Sequence, residues 1–308
     1  MISIIGVGRV GSITALLTLV RGIDHRIALV DIVPGLADGE ALDLKHMCAI
    51  LGIDAEIHSS TSYSIIEGSD IVLVTAGKPR KPGMTREELF LENVKTIVEI
   101  AEGIKKYAPE SIVILTTNPV DPLTYVMYRK TGFSRERVLG FSGILDSARF
   151  SYYISRKLGL SPSSITSLVI GMHGEAMLPL PNYTYLAGLP ITNLLPWKEI
   201  EEAVRETKEA GALIAKLRGY TSSYAPAAGL TVMVETIRRG SNRVYSTSVV
   251  LKGEYGVYDV AAEVPVILGR GGIVKVIEIP LYESEKEQFM KSVDEVRRMI
   301  NSIPVELR

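Results

Sequence analysis

Residues 2–20 read ISIIGVGRVGSITALLTLV, and the placing of their three glycines decides the fold. A β-branched apolar run, Ile2 to Ile5, stops at Gly6, and Gly8 and Gly11 complete the spacing G-x-G-x-x-G. A helical pattern opens directly behind them. The first glycine permits the tight turn and the second lets the backbone approach a pyrophosphate. The third allows the helix to pack closely on the strand, with its N-terminus facing the phosphates. Alone, the spacing fits any glycine-rich turn with a surface aspartate nearby. The context makes it specific, because Asp31 closes the next apolar run, RIALVD (26–31), twenty residues after Gly11. A carboxylate there accepts from both ribose hydroxyls and repels a 2′-phosphate, which predicts NAD rather than NADP.

The pattern continues outward. DIVLVTAG (70–77), SIVILTTN (111–118) and RVLGFS (137–142) read as further strands, several of them apolar throughout. Helical stretches lie between them near 11–21, 35–51, 85–107 and 120–131, and Thr85 with Glu88 forms a capping box for the third. Strands alternating with helices predict a doubly wound parallel sheet over residues 1–142. Residues 143–308 read differently. Helices are predicted near 145–158, 196–218, 226–240 and 283–300, with a strand at 167–174 and antiparallel strands within 244–279, an α+β domain.

The 308 residues are 46% apolar and 22% charged with net charge -1, and they contain no basic block of five. That balance argues against a nucleic-acid or membrane-surface partner. No run reaches 18 apolar residues, and Met1 leads straight into a strand, so neither a membrane span nor a signal peptide is expected. With Cys48 as the one cysteine, a reducing, cytoplasmic setting is expected.

Two segments carry candidate chemistry. GMHGEAMLP (171–179) holds His173 at a strand end between glycines, and GILDSARF (143–150) sets Asp146 and Arg149 three apart on one helical face. Taken singly, either is ordinary: a satisfied histidine, a solvated ion pair. His25, His46 and His58 have no supporting context.

GVGRVG, TAGKPRKPGMTR, TTNPVD, GILDSARF and GMHGEAMLP, in this order, resemble the lactate/malate dehydrogenase superfamily along essentially the whole chain. The resemblance implies a Rossmann NAD-binding domain followed by an α+β substrate domain, with the active site between them. It implies that His173 donates and accepts the proton, that Asp146 orients it, and that Arg149 grips the substrate carboxylate. Arg86 would polarise the reacting carbonyl, and Asn118, followed by a cis bond to Pro119, would hydrogen-bond substrate. The cofactor-binding residues are then expected to be Gly6, Gly8, Arg9, Val10, Gly11, Asp31, Thr75, Ala76, Gly77, Asn93, Thr116 and Asn118, with no metal. One departure is Glu175, where the family usually has Asp.

In the family, the residue six before the loop arginine selects the 2-oxo acid, and counting back from Arg86 gives Arg80. Arginine there implies a malate-type enzyme that interconverts malate and oxaloacetate. The physics agrees, since a guanidinium matches oxaloacetate's second carboxylate. With two prolines and Gly83 around it, the segment reads as a lid. GYTSSYAPAAGL (219–230) resembles the malate-type segment, with Thr221 or Ser222 expected at the substrate and Tyr220 and Tyr224 read as packing.

Three alternatives stand beside this reading. One is a lactate or other 2-hydroxy acid dehydrogenase. Another is a metal-requiring NAD-dependent glycosidase, which would place a cysteine near Asn118 rather than at Cys48. The third is a catalytically silent NAD-binding protein. The resemblance also implies a homodimer or homotetramer, with the helix at 35–51, including Met47 and Cys48, as the candidate face.

Overall fold

The computed structural model describes residues 1–78 and 85–308, with Arg86 described by its backbone alone. β1 (Ile2–Ile5), β4 (Ile71–Val74) and β5 (Ile112–Leu115) are buried at every position. A parallel strand covered by helices on both faces requires this. They are joined by β2 (Arg26–Val30), β3 (Glu56–Ser60) and β6 (Val138–Gly140) in the parallel order β3-β2-β1-β4-β5-β6. The crossovers are α1 (Arg9–Val20), α2 (Leu36–Leu51), α3 (Arg86–Tyr107) and α4 (Val120–Thr131). The register aligns the strand ends, with Ile5 beside Val30 and Val74, and Val74 beside Leu115. Gly6, Asp31, Thr75 and Thr116 therefore stand together just past one edge of the sheet. The strand order reverses between β1 and β4, where such sheets open a crevice.

The chain continues through α5 (Gly143–Leu158), β7 (Ile165–Thr166), β8 (Val169–Gly171), β9 (Met177–Pro179), β10 (Tyr185–Leu186) and β11 (Leu189–Pro190). After α6 (Trp197–Arg218) and α7 (Tyr224–Arg239) come β12 (Arg243–Lys252), β13 (Tyr258–Gly269) and β14 (Gly272–Val276), and α8 (Glu283–Ser302) follows. β12 pairs with β6 in antiparallel sense and extends the main sheet through β13, β8 and β9, while β14 adds to β13. The core is correspondingly continuous, with Ile4 and Leu29 in one apolar cluster with Met233, Val264 and Phe289.

Sequence reading missed β3, β9 and the small sheet β11-β10-β7. Glu56, His58 and Ser59 give β3 no apolar run, because an edge strand has only one neighbour to bury against. The strands of the small sheet are two residues long, too short to show a period. On α2, Cys48 is buried and Met47 packs against the core, so these two face inward; Leu42, Ile50 and Leu51 are the exposed large apolar residues there. Arg80, Gly83 and the lid expected around them lie outside the described residues, as does the side chain of Arg86.

Candidate active site

The glycine-rich turn is fixed by close backbone packing. Gly6 has φ +94°, and a Cβ there would meet the Ala76 backbone nitrogen at 2.4 Å; one on Gly11 would meet the Gly6 carbonyl at 2.2 Å. No side chain fits at either position. A Cβ on Gly8, by contrast, meets nothing within 4 Å. Gly8 also caps α1 without any side-chain acceptor. Unpaired N–H groups at the positive end of that helix face the open space. This geometry fits a dinucleotide pyrophosphate. Arg9 and Val10 lie on the same turn, Arg9 exposed.

The neighbouring strand ends are tied to this turn. The Asp31 carboxylate accepts from the Val7 N–H at 2.9 Å and the Val33 N–H at 3.0 Å. The Thr75 hydroxyl donates to the Gly6 carbonyl. The Thr117 hydroxyl donates to the Ala76 carbonyl at 2.5 Å, and Thr116 donates to Val74 O at 3.2 Å. Buried Asn93 accepts from the Lys78 N–H at 2.8 Å and donates to the Asn118 carbonyl at 2.9 Å. Asn93 thus ties the segment after β4, where Gly77 lies, to the segment after β5, where Thr116 and Asn118 lie, and the Asn118–Pro119 peptide is cis.

The second group of residues gathers behind β8. Gly171 and Gly174, at φ +99° and +105°, turn the chain on either side of His173. Glycines also let α4 pack closely on β6 and α5 on β12. A Cβ on Gly140 would meet Thr124 Oγ1 at 2.3 Å, and one on Gly143 would meet Ser246 Oγ at 2.4 Å. Asp121 and Asp146 occupy the first turns of α4 and α5, where the helix dipole favours an anion. His173 Nδ1 donates to Asp146 Oδ2 at 2.6 Å, and its backbone N–H donates to Asp121 Oδ2 at 2.9 Å. Arg149 Nη1 donates to the other Asp146 oxygen at 3.2 Å. This arrangement fixes the imidazole with Nε2 as its free nitrogen.

Burial pushes the His173 pKa down, but the charge and hydrogen bond of Asp146, with Asp121 behind, outweigh it and leave the group above its ordinary 6.5. Burial raises Asp121 to about 6, with the Ser248 hydroxyl and the His173 N–H opposing.

Among the expected residues, Asp146, Arg149 and His173 are brought into contact, and the cofactor-side residues meet along the strand ends. Ser222 is half-buried just ahead of α7, next to buried Ser223, which caps that helix. Tyr220, read as packing, is held between two cations: the Arg9 guanidinium lies 3.4 Å from its ring centroid and that of Arg218 lies 4.3 Å away. Sequence reading missed Asp121 and a fully buried carboxylate, Glu263. Glu263 did leave a signal, as the one charge inside the apolar run VAAEVPVIL (260–268). A separate cavity of about 810 Å³, lined by Glu175, Trp197, Lys208 and Tyr282 among others, is not lined by Asp146, Arg149 or His173.

Residues 1–140 match the family described as lactate/malate dehydrogenase, NAD binding domain, and residues 144–306 match lactate/malate dehydrogenase, alpha/beta C-terminal domain. The chain is 54% identical to the malate dehydrogenase of Pyrobaculum aerophilum over 304 residues, covering 99% of this chain and 98% of that protein. The solved malate dehydrogenase from Aeropyrum pernix is 53% identical, covers both chains fully and superposes with a TM-score of 0.97. The lactate dehydrogenase from Eimeria maxima with NADH and oxamate is 32% identical, covers 98% of this chain and 93% of that one, and has a TM-score of 0.94. The chain therefore belongs to the lactate/malate dehydrogenase family.

Proposed function

We propose that the protein is an NAD-dependent malate dehydrogenase, with residues 1–142 carrying the cofactor and 143–308 the substrate-binding side chains. The observation that supports this most is the 2.6 Å contact between His173 and Asp146, with Arg149 on the same carboxylate, in a chain more than half identical to proteins named malate dehydrogenase. NAD, when bound, supplies the acceptor for the hydride that leaves C2 of malate. Neutral His173 takes the C2 hydroxyl proton on Nε2. Asp146 keeps Nδ1 protonated and stabilises the imidazolium that forms. Arg149 has donors left for a planar carboxylate, which it grips in parallel bonds. Asn118 and Ser222 contact the bound acid. The Asp31 carboxylate excludes a 2′-phosphate, which favours NAD over NADP.

Two roles rest on the sequence: Arg86 stabilising charge on the reacting oxygen, and Arg80 pairing with the distal carboxylate. Pyruvate offers Arg80 no partner, and burying a lone guanidinium costs about 3–5 kcal/mol. At about 1.4 kcal/mol per tenfold, that is a preference of at least about a hundredfold. Steady-state assays with NADH should therefore show kcat/KM for oxaloacetate at least about a hundred times that for pyruvate. Equal values would return the protein to the general 2-hydroxy acid class, and no turnover of either acid would remove the enzyme reading altogether. The chain has no helix long and apolar enough to cross a membrane among the described residues. A cytoplasmic homodimer or homotetramer fits this reading.

A further inference from the structure

Glu263 lies in the middle of β13, in register with Ser248 of β12 and Gly171 of β8, two residues before His173. Its side chain is fully buried, and neither carboxyl oxygen has a hydrogen-bond partner among the described residues. Oε1 lies 4.0 Å from His173 Nδ1, and ligand-capable atoms of Asp146, His173 and Glu263 all fall within 4.8 Å of one another. Three buried carboxylates thus surround one imidazole. Asp146 accepts from Arg149 and His173, Asp121 accepts from the His173 N–H, and both sit at helix N-termini. Among the described residues Glu263 has no donor, no helix end and no cation of its own. Among the described residues, Arg149 is the one permanent cation in contact with the group, so the carboxylates cannot all be ionised cheaply.

Building on the dehydrogenase reading, we propose that Glu263 and His173 titrate as a pair. The acid–base centre then holds two exchangeable protons, and the pH at which His173 becomes a base is set by both groups. Glu263 is a positioning residue in this scheme, acting through the imidazole rather than on the substrate. The groups that face the pair are Asp121 from α4, Asp146 and Arg149 from α5, and uncharged Ser248 from β12. Besides His173, Asp146 and Asp121 are the charges that act on Glu263. Burial and these two anions hold its carboxyl well above the ordinary carboxylate range. Interacting groups of this kind lose their protons in two shared steps.

The sign follows from the charge. Ionised Glu263 is an anion beside the imidazole, so it favours imidazolium and raises the pH at which His173 lets go. Glu263→Gln removes that anion while keeping the shape. The acid limb of kcat/KM for malate oxidation, which needs neutral His173, should move down by about one pH unit. The alkaline limb for oxaloacetate reduction, which needs the imidazolium, should move down equally. Superimposable profiles for variant and wild type would overturn the pairing and leave Glu263 structural. A second measurement needs no variant of Glu263 and no turnover. Ring-nitrogen NMR of the wild-type protein with NAD, with His173 assigned by the signal lost in His173→Gln, should titrate in two inflections. A single inflection overturns the proposal. Two inflections in a protein that turns over neither oxaloacetate nor pyruvate would uphold the pair while rejecting the dehydrogenase reading.

Discussion

At the ends of β1, β2 and β4 the groups aimed at a ligand belong mostly to the backbone, whereas around His173 they belong to side chains from separate elements. The turn at the centre of the first region is built within a few residues of sequence. Gly6, Gly8 and Gly11 shape one turn, and Asp31 and Thr75 bind it from the adjoining strands. The second draws on Asp121, Asp146, His173 and Glu263, spread over 121 to 263 and held by burial rather than exposure. A backbone site presents fixed partial charges that do not titrate. A side-chain site with buried ionisable groups responds to pH. The difference teaches where each half of a hydride-transfer enzyme draws its control.

The sharpest way to break this comparison is His173→Asn. Loss of the acid–base group should lower kcat by about 10²–10⁴-fold while NADH affinity, read by fluorescence titration, stays at the wild-type value. A matching loss of NADH binding would show that the two regions are not independent. Gly6→Ala comes next. A Cβ forced against the Ala76 backbone at φ +94° should destabilise the fold by about 2–4 kcal/mol, measured by denaturant unfolding without cofactor. Gly8→Ala sharpens the same region by contrast. Its Cβ meets no protein atom, so unfolding should be unchanged while the NADH Kd rises about tenfold, as expected where backbone must approach a pyrophosphate. Smallest is Thr85→Ala. It removes the capping box with Glu88, whose N–H donates to the Thr85 hydroxyl at 3.1 Å, and should cost about 1 kcal/mol with little change in His173 chemistry.

The contrast also explains what could be read from the sequence. The inner parallel strands and their helices were legible because burial on both faces forces apolar runs and the glycine turn is local. His173, Asp146 and Arg149 were legible through resemblance, since each alone looks ordinary. Asp121 and Glu263 were not found because their importance comes from register: Glu263 meets Ser248 and Gly171 only once three antiparallel strands are paired. Edge strand β3 was missed for the opposite reason. With a single neighbour it buries little, and its composition is that of a loop. Short motifs thus report on sites made of contiguous backbone, and a lone charge within an apolar strand is the trace of a site assembled over distance.

The grip of Asp31 on the Val7 N–H has a consequence for redesign. Under the proposed function, one carboxylate both screens out a phosphorylated ribose and staples the loop that receives the rest of the dinucleotide. An attempt to convert the protein to the phosphorylated coenzyme by swapping Asp31 for a small neutral residue would therefore slacken the very cradle it sets out to retune. A successful conversion would need a new acceptor for that amide, supplied from β2 or from the segment that follows it.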